Sequence, residues 1–282
     1  MAGSLYVVST PIGNLDDITV RALHTLKSVG LIAAEDTRRT SLLLRHFGIA
    51  TPTISLHAHN EREKVPALVR KLSDGVDIAL VSDAGTPLVA DPGQRLIESA
   101  KDHGIRVIPI PGASAVLAAL AASGTPADEF VFAGFAPPRS LHRKQWLQSL
   151  AAEKRTVVFF EAPHRIAKTL SDMAEILVER PITIARELTK LHEEVLNTTA
   201  REAPSLNVTA RGEFTIILKP YSSNSAVPDI VDDAAISEYF YQLTNNGTLS
   251  RRQALTRTAT KFGLSTNDVY ARVERSKAPP QP

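Results

Sequence analysis

Short apolar runs alternate with amphipathic stretches from the start of the chain, and this alternation constrains the fold more than any other feature. Leu5 to Ser9, Leu31 to Ala34, Thr53 to Leu56, Val76 to Ser82 and Ile105 to Ile110 each have the length and aliphatic make-up of a strand. Between them lie helical stretches. Val20 to Val29 carries Val20, Leu23 and Leu26 on one face, and Ser41 to Phe47 is stopped by Gly48. Glu61 to Leu72 has Asn60 as N-cap with Glu63 three residues on, and Gln94 to His103 is closed by Gly104. Strands alternating with helices at this spacing require a largely parallel sheet covered on both faces, so the fold class is α/β.

A helix of small side chains, Ala113 to Ser123, runs into the breakers Gly124-Thr125-Pro126. Coming after five complete strands, they predict a boundary between one α/β domain over 1–122 and a second over 123–221. The second half repeats the mixture: strand Phe130 to Phe132, helix Leu141 to Leu150, strand Val157 to Phe160, helix Ile166 to Val178, and strands Ile182 to Ala185 and Phe214 to Leu218. Tyr221 to Pro228 has little to bury, which places a linker at 222–232. A small helical domain over 233–277 follows, with Ala278 to Pro282 expected to be disordered. The length of 282 residues agrees with more than one domain.

The chain has no cysteine, which excludes disulfides, thiolate metal sites and a cysteine nucleophile. Its longest apolar run, Ala115 to Ala122, is far short of the ~20 residues of a membrane helix. Met1-Ala2-Gly3-Ser4-Leu5 lacks the basic-then-apolar pattern of a signal peptide. A cytoplasmic protein with no membrane contact is expected. The net charge of +2 is unevenly spread: residues 251–282 hold seven basic side chains against two acidic ones. A basic end of this kind fits an anionic partner, nucleic acid first, and equally a solvated helix face.

In an open α/β sheet the ligand lies outside the carboxyl ends of the strands. The first loop there, Ser9 to Asp17, offers only Gly13 where a dinucleotide fingerprint needs three glycines, although Glu35 ends the next strand at a suitable distance. No phosphate-binding loop is present either, so the ligand is expected to lack a nucleotide phosphate. The loop Ser82-Asp83-Ala84-Gly85-Thr86-Pro87-Leu88-Val89-Ala90-Asp91-Pro92-Gly93 combines rigid turns with polar Asp83 and Thr86. Pro109 to Ala115 leads into the small-residue helix, whose free N–H groups suit an adenine or a carboxylate. Each loop alone is readable as a structural turn; three on one sheet edge point to a ligand.

The residues in these loops carry a resemblance. Thr-Pro-Ile-Gly-Asn-Leu-Asp-Asp-Ile-Thr (10–19), Ala-Glu-Asp-Thr-Arg (34–38), His-Asn-Glu (59–61), Ser-Asp-Ala-Gly-Thr-Pro (82–87) and Pro-Gly-Ala-Ser (111–114) come in the order of the tetrapyrrole-methylase superfamily. Phe-Phe-Glu-Ala-Pro-His-Arg (159–165), Ala-Arg-Glu-Leu-Thr-Lys-Leu-His-Glu-Glu (185–194) and Gly-Glu-Phe (212–214) continue it, and within the superfamily the chain resembles the ribosomal small-subunit methyltransferase I family. The likeness covers roughly residues 4 to 220. It departs after Glu194, where a basic-Gly-Ser/Thr turn and a longer helix would be expected and Val195-Leu196-Asn197-Thr198-Thr199 stands instead.

The resemblance implies two α/β domains with S-adenosylmethionine (SAM) in the cleft between them, a small C-terminal helical domain, and methylation of a cytidine ribose 2′-hydroxyl in 16S rRNA of the small ribosomal subunit. It implies a homodimer. Carried over, Pro11, Ile12 and Gly13 border SAM, and Asp83, Gly85, Thr86 and Val89 face its methionine or ribose. Ser114 and Ala115 lie beside it, with Glu161 and Leu188 closing over the adenosine.

Methyl transfer needs alignment and no metal. His57-x-His59 with Glu61 is better read as local hydrogen bonding than as a ligand set, and no metal is expected. A ribose hydroxyl is a weak nucleophile, so a base or an alkoxide-stabilising cation would help. The densest ionisable stretch suggests Glu187 as base, with Arg186 or Lys190 holding phosphate or oxyanion; the same stretch also fits a surface salt-bridge network. Glu35, Asp36 and Arg38 are the alternative acceptor-side group.

Leu249 to Tyr270 reads as helix, turn at Gly263, and helix capped by Ser265, with Ala254 and Ala259 for close packing. Arg251, Arg252, Arg257 and Lys261 are its candidate RNA contacts. Two rivals remain. A tetrapyrrole methyltransferase has no need of a basic tail and would carry a pigment. A non-enzymatic nucleic-acid-binding regulator would leave three ligand-type loops without purpose and would not bind SAM.

Overall fold

The computed structural model describes residues 2–206, 208–221, 233–245, 249–262 and 266–275. The expected linker at 222–232, the turn at Gly263, the cap at Ser265 and the tail Ala278 to Pro282 lie outside the described residues. Met1–Tyr221 form one compact unit and the remainder a second.

The first sheet is made of β1 (Ser4–Val8), β2 (Leu31–Ala34), β3 (Thr53–Ser55), β4 (Ile78–Val81) and β5 (Arg106–Ile110), in the order β3-β2-β4-β1-β5. Every pairing in it is parallel. A parallel sheet must be covered on both faces, which is why all four residues of β4 are apolar and buried. Helices α3 (Glu61–Ser73) and α4 (Gln94–Asp102) cover one face through Leu68, Leu72 and Leu96 against Leu5 and Leu80. Helices α1 (Val20–Ser28) and α2 (Thr37–His46) cover the other, with Leu26 and Leu44 against Val8, Ile32 and Val81.

One helix start and one cap differ from expectation. Helix α2 begins four residues earlier than Ser41, because Asp36 accepts from the Arg38 N–H and caps it there. Asn60 occupies the cap position of α3 but caps nothing: its Oδ1 accepts from the His57 N–H (2.9 Å) and its amide donates to the Ser55 carbonyl. That side chain shapes the turn before the helix.

Helix α5 (Ala115–Ser123) joins the two halves. Val116, Ala119 and Leu120 pack with Ile12 of the first half and with Val158, Ala185 and Ile217 of the second. The second sheet comprises β6 (Phe130–Phe135), β7 (Thr156–Glu161), β8 (Pro181–Arg186), β9 (Glu194–Thr199) and β10 (Phe214–Leu218), in the order β6-β7-β10-β8-β9. Only β6 and β7 pair in parallel; the other three pairings are antiparallel, so this half does not repeat the parallel pattern of the first. The cause is connection: β8 turns into β9 without a crossover helix. Strand β9 falls where the resemblance predicts a basic-Gly-Ser/Thr turn and a longer helix. Alternation sorts β10, with Phe214, Ile216 and Leu218 facing the core under α6 (Ser140–Leu150) and α7 (Ile166–Leu177), and Ile217 facing α5.

In the second unit, α8 (Asp233–Asn245), α9 (Arg251–Phe262) and α10 (Thr266–Arg275) share a core of Ile236, Phe240, Ala254, Ala259, Val269 and Val273. Ala254 and Ala259 are both buried, as close helix packing requires. Among the described residues no helix is long and apolar enough to cross a membrane.

Candidate active site

Strand order reverses about β1, which lies between β4 and β5, so the loops after β1, β4 and β5 meet at the carboxyl edge of the sheet. Backbone bonds from the Thr10 N–H to the Gly85 carbonyl (2.8 Å) and from the Gly85 N–H to the Thr10 carbonyl (3.0 Å) clamp the first two loops together. Thr86 ties in the third. Its hydroxyl donates to the Ala113 carbonyl (3.2 Å), so in its contact with Ser9 (2.9 Å) the Ser9 hydroxyl is the donor.

The Ser82–Gly93 loop is held in a strained shape. Leu88 (φ 75°) and Ala90 (φ 68°) occupy the left-handed region, where side chains cost energy. Buried Glu61 fixes the loop's far end by accepting from the Gly93 N–H at 2.8 Å. Glu61 is therefore committed to the loop. Among the described residues no group of three His, Asp or Glu side chains could hold a metal ion.

The second half supplies two turns. After β7, the fully buried Glu161 carboxylate accepts from Arg165 (2.6 Å), the Ala162 N–H (2.7 Å) and the Thr169 hydroxyl (2.5 Å). It thus sets the Ala162-Pro163 turn rather than offering a free carboxylate. After β8, Glu187 (φ 51°) and Thr189 (φ 68°) form a second strained turn. Gly13 approaches that turn so closely that a Cβ on it would lie 2.5 Å from Lys190 Cγ and 2.7 Å from Thr189 Oγ1. The Asn14 N–H donates to the Thr189 hydroxyl at 3.0 Å.

Two cavities lie among these loops. The first, about 370 Å³, is bordered on one side by Ile12, Asp83, Gly85, Thr86 and Val89, with Ser114 and Ala115 at the N-terminus of α5. Across from them stand Phe135, Phe160, Glu161, Ala162 and Phe214. The second, about 270 Å³, is bordered by Pro11, Gly13, Leu15, Leu42 and Lys190, among others. Ile12, Arg39, Asp83, Ala84 and Glu213 border both. Of the residues expected around SAM, Pro11 and Gly13 therefore stand at the second cavity. Leu188 borders neither and packs with Ile12 and Val116 instead.

Sequence reasoning did not assign Arg39, Asp91, Phe135, Phe160 or Glu213 to the site, although Glu213 sits in the Gly-Glu-Phe motif. The first cavity is acidic. Burial and the like charge of Asp83 outweigh a backbone hydrogen bond and raise Glu35; burial and the Glu35 charge push Asp91 up to about 6. Arg39 Nη1 lies 3.5 Å from Asp83 Oδ2 as a partial counter-charge.

Of the expected catalytic group, only Lys190 borders a cavity. Its Nζ donates to Glu187 Oε1 (2.8 Å) and Glu213 Oε2 (3.1 Å). Burial works against its charge, but these two carboxylates outweigh burial and its pKa is raised. The Glu187 carboxylate also accepts from the Glu213 N–H (3.1 Å), and the hydrogen bond from Lys190 holds it below its ordinary range. Buried Arg186 pairs with Glu194 at 3.1 Å on the neighbouring strand. Asp36 and Arg38 bind one another and border neither cavity.

On α9, Arg251 pairs with Glu274 (2.5 Å) and Lys261 sits 3.5 Å from the centre of the Tyr239 ring. Arg252 and Arg257 are exposed.

Residues 4–204 match the family model for Tetrapyrrole (Corrin/Porphyrin) Methylases. A Haemophilus influenzae protein named Ribosomal RNA small subunit methyltransferase I is 49% identical over 80% of this chain and 82% of its own. One of the same name from Halalkalibacterium halodurans is 44% identical over 95% and 93%. In fold the chain is similar to a diphthine synthase (TM-score 0.61, 14% identity, 77% of this chain and 90% of that one). It is likewise similar to the methyltransferase CobJ (TM-score 0.60, 20% identity, 78% and 95%). The chain belongs to the tetrapyrrole methylase family and, within it, to the methyltransferases of the ribosomal RNA small subunit methyltransferase I type.

Proposed function

We propose that the protein transfers a methyl group from SAM to the 2′-hydroxyl of a cytidine ribose in 16S rRNA of the small ribosomal subunit, and that it acts as a homodimer. The observation that carries this reading is the 44% identity to a relative of that name over 95% of the chain, a span that takes in most of the helical unit. The first cavity suits SAM: Glu35, Asp83 and Asp91 complement a sulfonium and an ammonium, while Val89, Phe135 and Phe160 offer an apolar wall. Bound there, SAM supplies a methyl group made electrophilic by its positive sulfur.

The chain's own groups do the rest. The aromatic wall of Phe135 and Phe160 shields the first cavity from water. Lys190, kept charged by Glu187 and Glu213, borders the cavity in which the acceptor oxygen gains negative charge. Asp83 borders both cavities; its Oδ1 accepts from the Asp36 N–H (3.0 Å), and its Oδ2, 3.5 Å from Arg39 Nη1, serves in this reading as the proton acceptor. Glu187, held down by Lys190, acts in this reading by orienting that lysine.

The test is transfer of radiolabelled methyl from SAM to small ribosomal subunits from cells lacking the protein, followed by nuclease mapping and light scattering of the enzyme. Label on one cytidine ribose and a dimeric mass are expected. SAM binding without label on RNA overturns the substrate. In the same assay Glu187→Gln is expected to keep SAM affinity and lose about tenfold in turnover; a loss of about 10²–10⁴-fold marks Glu187 as the base instead.

A further inference from the structure

We infer that the second cavity receives the acceptor nucleotide, turned out of its strand, with the base against Leu15 and Leu42 and the adjoining phosphate on Arg39. This rests on the reading above that RNA accepts the methyl group.

Displacement at a sulfonium methyl is in line, so the acceptor oxygen must approach from the side opposite sulfur. An acceptor cavity must therefore adjoin the donor cavity, and the second cavity does so along Ile12, Asp83 and Ala84. Its volume of about 270 Å³ suits one nucleoside. A base still stacked in a helix cannot enter such a recess, so the nucleotide is unpaired or flipped out.

The walls match the two ends of a nucleotide. Arg39 and Leu42 are three residues apart on α2 and so share a face. Leu42 is 62% exposed and Leu15 36%, although each has an apolar side chain and borders the cavity. Bases bind such surfaces through their flat faces. The Arg39 side chain is 64% exposed and its only close carboxylate among the described residues, Asp83, is 3.5 Å away, so its guanidinium is available to a phosphate. Lys190, by contrast, is held by two carboxylates and serves the reacting oxygen.

The experiment compares Arg39→Ala and Leu42→Asp with the wild-type enzyme, measuring SAM affinity by calorimetry, Tm, and kcat/KM for unmodified small ribosomal subunits. Both positions are exposed, so Tm is expected to stay unchanged. Leu42 borders only the second cavity, so Leu42→Asp is expected to keep SAM affinity while kcat/KM falls about ten- to hundredfold. Arg39 also borders the first, where loss of its positive charge does not weaken a cationic ligand, and Arg39→Ala is expected to lower kcat/KM similarly without loss of SAM affinity. Arg39→Lys and Leu42→Met should recover part of the loss. Wild-type kcat/KM in both variants, or a loss of SAM affinity parallel to it, overturns the inference. Absence of any label on RNA with the wild-type enzyme overturns instead the reading on which the inference rests.

Discussion

Asp91 shows how a single carboxyl couples stability to ligand charge. Burial and the Glu35 charge lift it to about 6, whereas the half-buried Asp36, bonded to Arg38, lies at about 2. The folded protein therefore holds a proton at Asp91 between about pH 4 and about pH 6 that the unfolded chain has released. Stability falls as pH rises through that interval and stays lower above it. Asp91→Asn removes the buried charge, so Tm should rise relative to wild type at pH 8 and hardly change at pH 4. The same charge is what a cationic ligand would meet in the first cavity. Affinity for SAM is accordingly expected to increase in the wild type as pH rises through about 6, and to be weaker and nearly flat in Asp91→Asn. Calorimetric titration from pH 5 to 8 checks this; identical profiles for the two proteins would remove Asp91 from ligand recognition.

At the scale of elements, α5 matters most, because it packs on the second sheet at Val158, Ala185 and Ile217 and meets the first half at Ile12. Its run of alanines is a packing requirement: Ala119 is fully buried beside Ala185 and Ile217. Ala119→Leu overfills that seam and should cost about 1–3 kcal/mol, seen as a Tm lower by several degrees. Because Ser114 and Ala115 lead into the same helix, SAM affinity should drop with it. A variant with unchanged Tm would show that the seam has room to spare. The first sheet was legible in the sequence almost residue by residue, since strands buried on both faces, such as Ile78–Val81, carry an unbroken apolar signal. Strand β9 was not legible: Glu194–Thr199 is a half-polar edge, and what makes it a strand is its pairing with β8. The loops of the site were legible through Gly85, Thr86 and Ser114. Asp91 lies in the same loop as Gly85 and Thr86, but what brings Glu35 and Glu213 to it is the tertiary fold, which no local spacing encodes.

For the whole molecule the two units carry separate cores, one built within Met1–Tyr221 and the other from Ile236, Phe240, Ala254, Ala259, Val269 and Val273. Separate cores make separate functions possible. Every residue bordering the two cavities of the active site belongs to the first unit. The basic surplus lies in the second, where Arg251 is paired with Glu274 while Arg252 and Arg257 are exposed. A protein ended after Tyr221 is therefore expected to fold, with the melting transition of the larger unit preserved and SAM affinity intact. Its affinity for unmodified small subunits should fall, and the dependence of that affinity on salt should become shallower. Each phosphate left without its neutralising side chain takes about 0.7–0.9 off the slope of log K against log salt, so removal of Arg252 and Arg257 predicts a change of about 1.5. Charge reversal at the same two positions in the full chain separates this electrostatic account from a packing role: it should weaken subunit binding while leaving Tm unchanged. Equal affinity and an equal salt slope in the shortened protein would mean that the helical unit serves something other than RNA, and that the first unit alone holds the ribosomal substrate.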